Sequence, residues 1–369
     1  MIKPSTIARR SAAGLAAILA AAGLVTAFAG TAQAAAPDHW GFAFVDKPSV
    51  PGIPDLNHQS GSWPPGFKVH VTPGALGQAF VRFPQIASKA GVVHVTAVTD
   101  TPVWCQAQKW GPAGPDEIVA VRCFKPGGAP VFAPFVVMFT QSTTGAFPPG
   151  RAYGYVHFEP ATGIVTRFNS AGAVNTVTPG PAGVWNVAMP GLGSPGPAGN
   201  IQVTAVNPAA AAKCEVAGWT PAPARQVIEV RCFNSTTAPL KTGWTLTYQR
   251  SRAVTGTQPK LFGYTFDNKP LLAGPYAPAP PPVNLNSAGG TNTAQRAGAG
   301  LRLVIFPRVG MLPDTVLVTP FHAGPGFCNL ITPWFTSAAR QVTVRDVACY
   351  TAAGAPSNQA SLITYASAH

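Results

Sequence analysis

Cysteine is the residue type in this chain whose spacing most directly implies a chemistry. The six cysteines fall into three pairs, Cys105 with Cys123, Cys214 with Cys232 and Cys328 with Cys349, separated by 18, 18 and 21 residues. Paired cysteines either close disulfides or, with histidines, hold a soft metal. No C-x-x-C spacing and no recurring histidine accompanies them, so disulfides are expected, with no metal and no other cofactor. Tryptophan is the second signal. Trp110, Trp219 and Trp334 each follow a first cysteine by five or six residues. A ring at that place either packs over its disulfide or stands exposed on a loop and stacks on a sugar or peptide, three weak sites then acting together. Trp63 and Trp104 have no tryptophan counterpart elsewhere in the chain. These five rings are the candidate ligand-binding residues.

Catalytic constellations are scarce. Glycoside hydrolysis needs two carboxylates flanking a bond. Asp116-Glu117 stands beside a Gly/Pro turn and alternates faces, so it is expected to be a solvated turn. No G-x-S-x-G elbow occurs, and no residue is assigned a catalytic role. His94 and His70 are expected on outer strand faces. His157 alternates with Val156 and Phe158 and shows no partner nearby in sequence. His39 and His58 fall in or near loops.

The elements that must position these residues come from a repeat. "VAVRCF" at 119–124 returns as "IEVRCF" at 228–233, and each pair ends in Cys-aromatic-x4-Ala-Pro: "CFKPGGAP", "CFNSTTAP" and "CYTAAGAP". Upstream, "VVHVTAV", "IQVTAV" and "VLVTPF" correspond, as do the aromatic-Gly-aromatic openings "WGFAF", "YGYVHF" and "FGYTF". Asn57, Asn169 and Asn286 fall at a common place after them. Six cysteines allow fifteen pairings, and the repeat selects one bridge per unit, each stabilising its unit by about 3 kcal/mol in the chain-entropy model. Within a unit, apolar and polar residues alternate with period two, and Gly and Pro punctuate the runs. About seven short strands in about 100 residues predict an all-β chain of three tandem Ig-like β-sandwich domains, each with one disulfide. The spans are 35–143, 144–251 and 252–369. Residues 143–152 and 250–260 read as linkers, and "GPYAPAPPPV" at 274–283 reads as an extended polyproline-like loop.

The first 34 residues read as a cleaved signal peptide: Lys3, Arg9 and Arg10, an apolar run, then Ala32-Gln33-Ala34. Arg9-Arg10 hints at a twin-arginine signal, but its flanks favour ordinary secretion. The mature chain would carry 22 basic residues (25 less three) against 12 acids, a net charge of +10. No later run is apolar enough to span a bilayer. Only 10% of the chain is charged, against about 25% in a typical soluble protein. That surface suits an extracellular setting. The basic excess favours an anionic polymer such as a wall teichoic acid, or serves solubility alone. No Lys/Arg cluster of the kind nucleic acid requires is present.

The order "GNIQVTAV…C…W…VIEVRCF…AP" resembles tandem β-repeat proteins secreted by high-GC Gram-positive bacteria, over all three units. Ala348 at the Arg position and Pro320 at the strand Ala position depart from the pattern. The resemblance implies secretion and a repeated β fold, and it brings no catalytic residue and no ligand. The expected function is multivalent, non-catalytic extracellular binding or a structural role, with a cell-wall polysaccharide or another secreted protein as partner. The alternative is an enzyme or enzyme inhibitor with its site in non-repeated loops, near Trp63 ("GSWPPG") or in the Pro run.

Overall fold

The computed structural model describes residues 38–143, 147–148, 150–256 and 261–369. The expected signal peptide and parts of both expected linkers lie outside the described residues. The first repeat holds β1 (His39–Val45), β2 (Gln59–Gly61), β3 (His70–Pro73), β4 (Gln78–Phe83), β5 (Val92–Ala97), β6 (Trp104–Ala113), β7 (Asp116–Phe124) and β8 (Phe135–Gln141). The second holds β9 (Ala152–Glu159), β10 (Gly163–Asn169), β11 (Thr176–Pro179), β12 (Val184–Pro190), β13 (Asn200–Val206), β14 (Ala212–Ala222), β15 (Arg225–Asn234) and β16 (Gly243–Arg250). The third holds β17 (Phe262–Asp267), β18 (Asn284–Asn286), β19 (Thr293–Gly298), β20 (Leu301–Phe306), β21 (Asp314–Phe321), β22 (Phe327–Leu330), β23 (Phe335–Thr336), β24 (Val342–Tyr350) and β25 (Ala360–Ser367). The chain is all-β, as predicted. The short polar strand β2, Gln-Ser-Gly, is one that alternation alone could not reveal.

Each repeat is a sandwich of two sheets. One sheet is ordered β2-β1-β8-β5 in the first repeat, and the other β3-β4-β7-β6. The second and third repeats repeat both orders. All six cysteines are paired as the repeat predicts. Each bridge joins directly opposed residues of neighbouring strands within one sheet, Cys105 facing Cys123, Cys214 facing Cys232 and Cys328 facing Cys349.

The sheets do not stop at repeat boundaries. Strand β13 of the second repeat runs parallel to β6 of the first, with Val206 beside Ala107. Strand β21 of the third runs parallel to β14 of the second, with Phe321 beside Val216. The cycle closes where Val98 bridges Leu330, again parallel. The same hydrogen bond marks all three joins: Asn207 N to Ala107 O (3.0 Å), His322 N to Val216 O (3.0 Å) and Thr99 N to Leu330 O (2.7 Å). The described residues thus form one compact unit with internal pseudo-threefold order.

This arrangement explains two kinds of strand. In β4, Ala79, Val81 and Phe83 are buried while Arg82 is exposed, a pattern for one wet face. In β5, β8 and β13 every residue is buried, because one face packs inside its own sandwich and the other against the next repeat. Full burial of each Val or Phe there contributes about 1.5–3 kcal/mol. The threonine of the recurring "VT" step is the lock between repeats. Thr204 Oγ1 accepts from Val95 N (3.1 Å), Thr319 Oγ1 from Val203 N (3.0 Å) and Thr96 Oγ1 from Val318 N (3.0 Å). A buried N–H left unpaired would cost about 1–3 kcal/mol, so the motif recurs wherever two repeats meet.

His94 corrects the outer-face expectation. It is buried, with Nε2 2.7 Å from Thr247 Oγ1 and Nδ1 3.3 Å from Thr204 Oγ1 in the second repeat. Burial pushes its pKa down to about 3. His70 is exposed, as expected. The asparagine alignment holds for two repeats. Asn169 and Asn286 each bond a second asparagine (Asn175, 2.7 Å; Asn292, 2.8 Å) and a proline carbonyl (Pro190, Pro307). In the first repeat the residue in that register is Gly61, not Asn57. Asp116-Glu117 is not a solvated turn. The two residues open β7, Asp116 pairs with Arg82 at 3.3 Å, and Glu117 is fully buried. Among the described residues no helix is long and apolar enough to cross a membrane.

Candidate functional site

The recurring tryptophans pack against the cores that hold their own disulfides and also reach across repeats. A β-bulge follows the first cysteine, at Gln108 in β6 and at Ala217 in β14. One extra residue bends the strand and aims the next ring at the opening strand of the following repeat. Trp110 meets His157 of β9 with ring centroids 4.4 Å apart, Trp219 meets Phe266 of β17 at 6.3 Å, and Trp334 meets Phe44 of β1 at 6.4 Å. Three equivalent junctions result, and they are finished differently.

At the junction of the second and third repeats, Trp219 Nε1 donates to Gln226 Oε1 (2.8 Å), and Phe321 packs tilted against Phe266 at 4.7 Å beside it. At the closing junction of third and first repeats, Trp334 is 3% exposed. Its Nε1 donates to Asp314 Oδ1 (2.7 Å), and the ring of His58 meets it edge-on at 4.7 Å. Asp314 is itself fully buried and also receives His58 Nδ1 (2.7 Å), Thr336 Oγ1 (2.9 Å) and Tyr365 OH (3.1 Å). Burial alone would lower the His58 pKa, but the hydrogen bond and charge of Asp314 outweigh it and hold the imidazole above its ordinary value.

At the junction of the first and second repeats neither plug is present. The position of Phe321 is taken by Val206, and among the described residues the ring that meets Trp110 is His157. What remains is a cleft of about 310 Å³. Its walls include Lys89, Lys109, Trp110, His157, Glu159 and Val206. Trp110 is half-buried there. His157 Nε2 lies 3.2 Å from Glu159 Oε1. The partner that sequence reading did not find for His157 is two residues on, because residues i and i+2 of a strand share a face. Beneath the cleft, the backbone N of Ser88, a cleft residue, donates to Glu117 Oε2 (2.9 Å), while Glu117 Oε1 has no partner. Burial pushes the Glu117 carboxyl up to about 8. The equivalent residue in the second repeat is the fully bonded Gln226.

The remaining candidate rings serve packing. Trp63 lies over Gly41 and Gly61, where added Cβ atoms would sit 2.7 and 1.9 Å from its ring, and beside Phe83. It fills the place that asparagine pairs occupy in the other repeats. Trp104 is buried, donates from Nε1 to Ala212 O (2.9 Å), and meets Phe327 and the ammonium of Lys213, its counterparts in the other repeats. Burial pushes the Lys213 amine down to about 8. The Pro run is held down too. Tyr276 OH donates to Asp267 Oδ1 (2.6 Å), and Asp267 forms a two-bond pair with the buried Arg302. Arg122 stands over Phe124, and Arg231 pairs with Glu229, as surface donors. A further depression of about 430 Å³ lies beside Phe67, Lys68 and Arg82, where Arg82 already has Asp116 as partner. No group of three or more His, Cys, Asp or Glu among the described residues is placed to hold a metal.

Sequence reading had singled out Trp110 but not His157, Lys89, Lys109 or Val206. The signal that could have found His157 and Val206 is a break in the repeat, since both stand where another unit carries phenylalanine. The chain matches no family model, and neither curated proteins nor solved structures contain a detectable relative.

Proposed function

We propose that this is a secreted, non-catalytic binding protein that holds a segment of a cell-wall polysaccharide in the cleft between its first and second repeats. One observation carries the reading: of three equivalent tryptophan junctions, two are plugged by the protein's own rings and one is left open. A half-buried indole in a cleft with a few polar groups around it is a common form of small-ligand site. The three disulfides, with the signal peptide read at residues 1–34, favour an oxidising, extracellular setting. Avidity from three equivalent rings is not part of the proposal, because Trp334 is buried and Trp219, half-buried like Trp110, has Phe266 and Phe321 beside it in place of a cleft.

The test is retention of the oxidised mature protein on insoluble cell wall, chitin, cellulose and empty agarose across a salt series, alongside Trp110→Ala. The expected result is retention on one polymer, lost in the variant while its melting temperature stays within a few degrees (roughly a 1–2 kcal/mol change in a chain this long). Retention that ignores the substitution, or no retention on any polymer, would contradict the reading.

A further inference from the structure

Lys89 and Lys109 flank the open indole, and both are exposed. Neither has a carboxylate partner among the described residues, whose ion pairs are made by other basic side chains. The one acid lining the same cleft, Glu159, is engaged with His157. The cleft therefore presents two lysines against one carboxylate, an excess of positive charge, beside one aromatic face. The junction of the second and third repeats lacks the second of these lysines. Where the first repeat has Lys109 the second has Gly218, and where the second has His157 the third has Phe266. The plugs there are rings, Phe321 and His58, which shows the shape that fits beside this tryptophan.

We infer that the cleft takes an acidic sugar, a pyranose whose ring face lies on Trp110 and whose carboxylate or phosphate substituent lies between Lys89 and Lys109. The inference rests on the proposed binding role and adds the ligand's chemical class. A C–H-rich sugar face suits the indole, and an ammonium pair suits an anion whichever oxyacid supplies it. Exposed pairs of this kind are modest individually and weaken as salt rises, so the acid sets the preference while the indole supplies the platform.

The test titrates the full mature chain with glucose, glucuronate and glucose 6-phosphate at low salt, followed by ligand-observed NMR. Wild type is compared with the exposed-residue variant Lys89→Gln/Lys109→Gln and with Trp110→Ala. Both acids, or one of them, should bind about fivefold or more tighter than glucose. The advantage should vanish in the lysine variant, whose affinities for the three sugars become equal, and in wild type the tighter acid identifies carboxylate or phosphate. Equal binding of all three sugars with loss in Trp110→Ala overturns the acidic preference and leaves the binding role standing. Absence of acid binding to wild type also overturns the inference, and retention of Trp110→Ala on polymer then decides the binding role separately.

Discussion

At the junction of the second and third repeats, half-buried Trp219 donates to Gln226 and meets Phe266, which in turn packs against Phe321. At the junction of the first and second, the matching ring Trp110 faces His157, two lysines and about 310 Å³ of open cleft. Backbone pairing, bulge and tryptophan are the same in both. The difference lies in a few side chains, chiefly Val206 against Phe321, Glu117 against Gln226 and His157 against Phe266. Internal symmetry thus serves as a control: what recurs is accounted for by packing, and what departs from the repeat, at a place the repeat would otherwise fill, is where the proposed binding role is sought. The third junction makes the same point by another route, since His58 and Asp314 fill the space that Phe321 fills elsewhere.

The comparison can be broken first at the closing junction. Asp314→Ala removes the acceptor of four side chains and leaves several donors buried and unpaired. It should lower stability by about 3–5 kcal/mol, read as a shift in the urea midpoint at unchanged slope. A loss below about 1 kcal/mol would mean that the cluster does not hold the cycle shut.

A smaller effect is expected under the open cleft. Glu117→Gln installs the side chain that the second repeat carries. In the wild type the folded-state pKa of Glu117 is raised, so the stability linked to this group is fully present below its ordinary value of 4.5 and is lost as pH rises through about 8. The variant should therefore match wild type near pH 4 and exceed it at about pH 9, by on the order of 2 kcal/mol. Parallel stability curves for the two proteins over that range would show that Glu117 is not strained by burial.

Much of the fold was legible in the sequence because period-two strands, turn residues and paired cysteines are local signals repeated three times. The cyclic closure was not, because it depends on parallel contacts such as Val98 with Leu330, more than 200 residues apart. That one fact explains the misplacement of His94: alternation assigns a face, but cannot say that both faces of β5 are covered. It also explains Thr96, Thr204 and Thr319, whose recurrence was visible and whose role as locks between repeats was not. At the site, Trp110 was legible as a type at a spacing. His157 and Glu159 lie in a different repeat, and only packing brings them to the ring. Trp63 was legible as a unique aromatic, but its packing over Gly41 and Gly61 was not, because that depends on contacts outside its own loop.

The central claim is that the ligand occupies the one junction left unplugged, and Val206→Phe tests it most directly. The substitution gives the first junction the residue that closes the second, at a position where the fold already accepts phenylalanine. Polymer retention of this variant should fall to the empty-agarose level while its melting temperature equals or exceeds that of wild type. Undiminished retention by a folded Val206→Phe protein would contradict the account and place the ligand elsewhere on the molecule.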